Sequence, residues 1–198
     1  MRTDAYFSAD RRYRYWLLRV WDESLPVNCA CGVNPSVANE RENDPTIRKD
    51  MGFSSRQGFG GLLKVNLSAF CSTDPKGARC HSVGEENSPA HIRHYYEQFG
   101  AKQFIACWGR NGNSFQAQAE ALLREFPEAL CFGCNPDGTP RHTLMLPYST
   151  ALRLFKEPAA KWCCEGDAEK HEHSPECRYY SENCFINSAP SGGEGLSQ

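Results

Sequence analysis

The stretch VNCACGVNPS, residues 27–36, decides the fold of this chain. Its first seven residues are mostly apolar or small, and Gly32 and Pro35 then interrupt the run. This pattern is typical of a short buried strand that enters a turn. We therefore predict a strand over residues 27–33 that presents the amide of Asn34 at its carboxyl end.

Similar stretches alternate with helical patterns on either side. Asp44 and Ser88 each precede a proline, which is the pattern of a helix N-cap followed by the first helical residue. The predicted strands are 13–21, 27–33, 62–69, 104–108 and 130–132, and the predicted helices are 44–57, 88–100 and 114–126. This alternation predicts an α/β protein, a three-layer α/β/α sandwich with a short, mostly parallel central sheet.

Charge is unevenly spread along the chain. The 198 residues have a net charge of −2, but residues 1–162 sum to +3 and residues 163–198 to −5. We predict one α/β domain over 1–162 and a Cys/His-rich acidic tail over 163–198. A mildly basic domain is compatible with nucleic-acid binding, and an ordinary solvated surface explains the charges equally well.

The chain has no apolar run long enough to span a membrane. The only apolar stretch near the N-terminus is interrupted by four arginines, Arg11, Arg12, Arg14 and Arg19. We therefore expect no signal peptide and no membrane partner, and we predict a cytoplasmic monomer.

Two groups stand out among the eleven cysteines of the chain. Five lie in apolar, strand-like segments and are expected to be buried thiols rather than disulfides: Cys29, Cys31, Cys71, Cys107 and Cys131. The tail contains six zinc-ligand candidates: Cys163, Cys164, His171, His173, Cys177 and Cys184. Because they form no C-x2-C pair, no cofactor is predicted, and structural zinc is the alternative.

Three polar side chains follow predicted strands or turns, where ligands of open α/β sheets bind. They are Asn34, Asn66 and His142. Each also has an ordinary structural explanation. Asn34 can cap its own turn, Asn66 can pair with a neighbouring loop, and His142 can be a surface or satisfied histidine.

Seven motifs occur in a fixed order along about residues 13–147. They are GVNPS at 32–36, DPTIR at 44–48, GFGG at 58–61, VNLSAFCSTDP at 65–75, ENSPAHI at 86–92, ACWGRNG at 106–112 and DGTPRHTLML at 137–146. This order resembles a family of bacterial and phage proteins of unknown function. That family in turn resembles the uracil-DNA-glycosylase superfamily.

The resemblance implies a uracil-DNA-glycosylase-like fold, DNA as partner and hydrolysis of an N-glycosidic bond. By this likeness Asn34 positions the water, Asn66 reads the base edge and His142 stabilises the anionic base. The other implied substrate contacts are Gly32, Val33, Pro35, Ser36, Trp108 and Arg141, and the DNA-binding candidates are Arg48 and Arg110.

Two positions depart from the patterns of these families. Thr143 stands where both patterns have proline, so we expect a less rigid loop around His142. Ser36 and Val37 follow Pro35 where classical uracil enzymes have a bulky tyrosine, so a 5-substituted pyrimidine is expected to fit.

The expected function is that of a DNA glycosylase that removes a flipped-out, modified or mismatched pyrimidine, in repair or in phage defence. Two alternatives fit the same residues: a non-catalytic protein that binds a modified base or nucleotide, and an N-glycosidase that acts on free nucleotides. The glycosylase hypothesis requires Asn34, Asn66 and His142 to converge on one base-sized pocket.

Overall fold

A computed structural model describes residues 1–155, apart from the side chains of residues 75 and 76. The strands are β1 (Arg2–Phe7), β2 (Arg14–Val20), β3 (Val27–Gly32), β4 (Gly61–Asn66), β5 (Ala101–Ala106), β6 (Leu130–Cys131) and β7 (Arg153–Leu154). The helices are α1 (Pro45–Arg56), the four-residue α2 (Pro75–Ala78), α3 (Pro89–Gln98) and α4 (Gln116–Glu125), and a 3₁₀ helix spans Arg110–Phe115. The chain is thus a mixed α/β protein, as the sequence predicts.

All seven strands belong to one sheet in the order β1-β2-β4-β3-β5-β6-β7. The pairings β4–β3, β3–β5 and β5–β6 are parallel, whereas β1–β2, β2–β4 and β6–β7 are antiparallel. The prediction of a mostly parallel sheet is therefore wrong at both edges. β1 escaped prediction because its sequence, RTDAYF, is largely polar and exposed and has no apolar run.

Two apolar clusters cover the sheet, because successive strand residues point to opposite faces. Leu17, Ala30, Leu62 and Ile105 pack with residues of α1 in one cluster. The neighbouring Leu18, Cys31, Leu63 and Phe104 belong to the other, with residues of α3 and α4. The parallel strands β3, β4 and β5 are therefore buried on both faces, and their carboxyl ends are held rigidly.

The starts of the two predicted capped helices are confirmed. The Asp44 side chain accepts the N–H of Ile47 at 2.8 Å, and Ser88 Oγ accepts the N–H of His91 at 3.3 Å. Each cap is followed by proline at the first helical position, where its missing N–H costs nothing. The cap of α1 fixes where that helix begins at the edge of the sheet.

The cap on α1 gives a stability prediction. Asp44→Ala removes the acceptor for the Ile47 N–H and should lower the free energy of unfolding by about 1 kcal/mol, measured by urea denaturation. Asp44→Asn is the matched control, because asparagine caps about as well as aspartate. Equal losses in both variants would show that the charge, and not the cap, stabilises the helix.

Several sequence predictions lie partly or wholly outside residues 1–155. The predicted domain boundary after residue 162 and all six tail zinc candidates fall there. Within the described residues, no group of three or more His, Cys, Asp or Glu side chains is placed to hold a metal ion. No helix in that range is long and apolar enough to cross a membrane. Four of the five core cysteine predictions are confirmed as buried free thiols, and Cys71 is half-buried.

Candidate functional site

A polar pocket opens at the carboxyl ends of β3 and β4. Its cavity volume is about 60 Å³. This volume is below the usual range of roughly 300–1,000 Å³ for ligand sites. The pocket is lined by Arg14, Gly32, Val33, Asn34, Ser36, Asp44, Thr46, Ile47, Lys64, Asn66 and His142.

Asn34 is held in place by its own amide group. Its Nδ2 donates to the carbonyl of Pro35 at 2.9 Å and to that of Ser72 at 2.8 Å. The bond to Pro35 is the local turn contact that the sequence allowed, and the bond to Ser72 ties the turn to the segment after β4. Both amide hydrogens are therefore used, and the capacity that remains is the acceptor Oδ1.

Asn66, the last residue of β4, is 1% exposed. Its Nδ2 has no hydrogen-bond partner among residues 1–155, although a buried donor left unpaired costs about 1–3 kcal/mol. Its Oδ1 lies 2.9 Å from where a Cβ on Gly32 would stand, so only glycine leaves room for it. The pocket thus contains an amide donor that no described residue satisfies and that is available to a ligand or a water.

Asn87 supports Asn66 from behind. Its Nδ2 donates to the backbone carbonyls of Asn66 and Leu67, each at 3.1 Å. Sequence analysis did not select Asn87 as a site residue, although the asparagine before the Ser-Pro cap of α3 was visible in the ENSPAHI motif. Its place explains why an asparagine is buried there.

A buried ion pair includes Lys64, one of the residues that line the pocket. Lys64 Nζ contacts Asp50 Oδ2 at 2.8 Å, and both side chains are almost fully buried. Burial is the largest single effect and lowers the pKa of Lys64, but the Asp50 carboxylate and the neighbouring Cys107 and Cys31 together outweigh it and hold the pKa above its usual value. Lys64 therefore stays charged in the lining of the pocket. Sequence analysis missed it because it is a single lysine in an otherwise apolar strand.

His142 is fixed in its loop as a neutral imidazole. Its Nδ1 accepts the N–H of Leu144 at 3.2 Å, so the ring proton is on Nε2. Burial first, and then the charge of Lys64, lowers the pKa of His142 below its usual value. The side chain packs against Gly109, whose φ of +66° favours glycine. The pocket thus has a neutral N–H donor in its wall.

Thr143 anchors the histidine loop. Its Oγ1 donates to Asp50 Oδ1 at 2.5 Å, and the residue is buried. Sequence analysis expected a less rigid loop here because proline is absent. The structure instead gives Thr143 a hydrogen bond to the buried ion pair, which proline could not make.

Arg14, the first residue of β2, is a third residue that sequence analysis did not select as a site residue. It is 2% exposed and lines the pocket. Nη1 donates to the carbonyl of Ala38 at 2.7 Å, while Nε has no partner among the described residues. Burial lowers the pKa of Arg14 to about 10, so the guanidinium is still charged at neutral pH.

The structure brings together six of the predicted site residues and separates five. Gly32, Val33, Asn34, Ser36, Asn66 and His142 line the pocket. Five predicted residues do not line it: Pro35, Arg48, Trp108, Arg110 and Arg141. Trp108 is instead a core residue that packs edge-on against Phe155, with ring centroids 6.0 Å apart. Sequence analysis did not select Arg14, Asp44, Thr46, Ile47 or Lys64, which also line the pocket.

Fold and site together define a single-sheet α/β protein with a cation-containing pocket at the ends of its parallel strands. The chain belongs to the DUF1643 family, described as proteins of unknown function, whose family model matches residues 14–144. The predicted membership of a family of unknown function is thereby confirmed. Searches of curated proteins and of solved structures found no match.

Proposed function

We propose that this protein is a DNA glycosylase that hydrolyses the N-glycosidic bond of a flipped-out pyrimidine, and that its sheet and helices form a uracil-DNA-glycosylase-like sandwich. One observation carries the proposal: Asn34, Asn66 and His142, which come from distant parts of the chain, line the same pocket. These are the three residues that the resemblance to uracil-DNA glycosylases selects.

Asn66 supplies base recognition. A primary amide presents a donor and an acceptor side by side, which matches the carbonyl and ring N–H of a pyrimidine edge. The unpaired Nδ2 of Asn66 gains its missing acceptor when the base enters. Binding of the correct base therefore recovers the cost of burying that donor.

His142 and Lys64 act on the leaving base. The C1′–N bond breaks with its electron pair on the base, which departs as an anion. The Nε2–H of neutral His142 donates to a base carbonyl on which this charge develops, and the buried charge of Lys64 favours the same anion. A preorganised donor of this kind lowers the activation free energy by on the order of 3 kcal/mol.

Asn34 acts on the water. With both amide hydrogens bound to backbone carbonyls, its Oδ1 is the atom that accepts a hydrogen bond from water. It thereby orients the nucleophile towards C1′. The water proton passes to the base or to solvent, leaving an abasic site and a free base. Asp44, which also lines the pocket, adds a negative charge that favours the cationic sugar.

Exposed arginines supply the proposed DNA contacts. Arg48, Arg110 and Arg141 are exposed and lie outside the pocket, as expected of residues that contact phosphates rather than the base. The excess of three positive charges over residues 1–162 supports the same partner. Arg110 is only weakly engaged, at 3.9 Å from Asp137.

The test is formation of abasic sites. Single-stranded oligonucleotides that contain uracil or a 5-modified pyrimidine, and duplexes that contain a mismatched thymine, are incubated with the protein and then treated with alkali. We expect strand scission at one or more of these bases and a loss of about 10²-fold in rate for Asn34→Ala. Ser72→Ala is a suitable control, because its backbone carbonyl still binds Asn34.

Different outcomes separate the alternatives. Scission by Asn34→Ala at the wild-type rate would remove Asn34 from the mechanism. Base release from nucleotides but not from DNA would indicate the N-glycosidase of free nucleotides. Binding of modified DNA without scission would indicate a non-catalytic reader.

A further inference from the structure

Two buried arginines of β2 differ in how their donors are used. The Arg19 guanidinium donates to Asn43 Oδ1 and to backbone carbonyls, including that of Asn39 at 2.5 Å. The Arg14 guanidinium makes one hydrogen bond within the described residues, to the carbonyl of Ala38. Arg19 thus ties loops together, whereas Arg14 keeps buried donors without a partner in the described part of the chain.

The charges around Arg14 leave it uncompensated. No carboxylate of the described residues lies within 4.0 Å of its guanidinium. Lys64, the other cation of the pocket, already has Asp50 as its ion-pair partner. Asp44 acts on Arg14 only from a longer distance, and the effect of burial outweighs it. A guanidinium has five donors and no acceptor, so the missing partner is a hydrogen-bond acceptor.

The sheet topology places Arg14 across the pocket from His142. Arg14 begins β2, and its N–H donates to the carbonyl of Ala69, just beyond β4. His142 packs on Gly109, just beyond β5. Because β2 and β5 flank the β4–β3 pair on opposite sides, the two side chains approach a ligand from opposite ends, with Asn66 between them.

We propose that Arg14 binds an oxygen-bearing substituent at C5 of the substrate pyrimidine. This inference rests on the proposed function and takes the carbonyl that His142 contacts to be the 2-carbonyl, with Asn66 on the adjoining edge. C5 is then the ring atom farthest from His142 and nearest to Arg14. Ser36, in the same wall, is small enough to leave space for the substituent. The substrate class is therefore a 5-modified pyrimidine with an acceptor oxygen.

A matched substrate series tests this inference. Single-stranded oligonucleotides carry uracil, thymine, 5-hydroxymethyluracil or 5-carboxyuracil at one position. Thymine and 5-hydroxymethyluracil differ by one oxygen, so the ratio of their kcat/KM values isolates the proposed contact. For the wild-type protein we expect kcat/KM for each oxygen-bearing base to exceed that for thymine by about 10- to 100-fold, the usual range for a hydrogen bond to a charged group.

Variants of Arg14 give the second arm. Arg14→Met fills the same space without donors and should reduce the ratio of kcat/KM for the oxygen-bearing bases to that for thymine to about one, whatever its effect on the rate for uracil. Arg14→Lys retains the charge but not the planar fork of donors, and should keep part of the preference if Arg14→Met fails to fold. Arg12→Met is the control, because Arg12 is exposed and lies outside the pocket.

The results distinguish failure of this inference from failure of the proposed function. Cleavage of uracil with no advantage of the oxygen-bearing bases over thymine would overturn the role of Arg14 and leave the glycosylase intact. If no base is cleaved, the proposed function fails. Calorimetry with free 5-carboxyuracil and free thymine then tests the Arg14 contact separately. Tighter, Arg14-dependent binding of 5-carboxyuracil would then support the contact, and equal or absent binding would overturn it.

Discussion

Asp50→Ala should lower the free energy of unfolding by about 3–5 kcal/mol, because it leaves the buried ammonium of Lys64 without its ion-pair partner. Asp50 Oδ2 lies 2.8 Å from Lys64 Nζ, and its Oδ1 accepts from Thr143. The substitution therefore removes the ion-pair partner and the anchor of the histidine loop together. Urea denaturation at neutral pH measures the loss.

Removing both charges is the matched control. An Asp50→Leu, Lys64→Met double variant should recover most of the loss, because an apolar pair of similar volume avoids the buried unpaired charge. Asp50→Asn should fall between the two, since its amide oxygen still accepts from Thr143. A loss below about 1 kcal/mol for Asp50→Ala would show that Lys64 reaches solvent and that the pair does not organise the floor of the pocket.

His142→Ala should reduce the single-turnover rate of base release by about 10²- to 10³-fold, the usual effect of removing one donor to a developing anion. Affinity for substrate DNA should change little, because the contact strengthens in the transition state. His94→Ala is the control, since His94 lies on α3 and does not line the pocket. Equal activity of His142→Ala and wild type would exclude the assigned role.

The pH dependence tests the protonation state of His142. Because burial and Lys64 lower its pKa, the neutral form of His142 persists at pH values below the usual histidine pKa of about 6.5. Activity that depends on neutral His142 should therefore stay level from neutral to mildly acidic pH and fall as the pH drops through the lowered pKa. Protonation would also displace the Leu144 N–H from Nδ1. A rate that rises in acid would show that the imidazolium is the active form.

The same pKa shift has a consequence for stability. The unfolded chain binds a proton at its normal pKa, before the folded chain does, so stability should decline as the pH falls below about 6.5. His142→Ala should reduce this decline, and comparison of its unfolding at neutral and acidic pH with wild type measures the effect.

Much of the fold could be predicted because its elements carry strong local signals. The apolar runs of β3, β4 and β5 and the Asp-Pro and Ser-Pro caps of α1 and α3 fix these elements within a few residues. The edges could not be predicted. β1 is mostly exposed and β7 has two residues, so both depend on pairing with a neighbour rather than on a pattern of their own.

The site was predictable only where its residues end strands or turns. Asn34, Asn66 and His142 follow recognisable stretches, and they line one pocket. Arg14 and Lys64 were not predicted as site residues, because a charged residue within a strand carries no local sign that its partner lies elsewhere. The Asp50–Lys64 contact joins α1 to β4, and only the folded chain brings them together.

The first two strands form a hairpin on one side of the parallel strands, and this hairpin delivers Arg14 to the pocket. The residues proposed to break the bond belong instead to the parallel strands, to the segment after β3 or to the loop after β6. The proposed function therefore assigns selection of the C5 substituent and hydrolysis of the bond to different parts of the polypeptide. Exchange of the N-terminal hairpin between relatives should change which C5 substituent is accepted and leave the proposed hydrolytic residues unchanged.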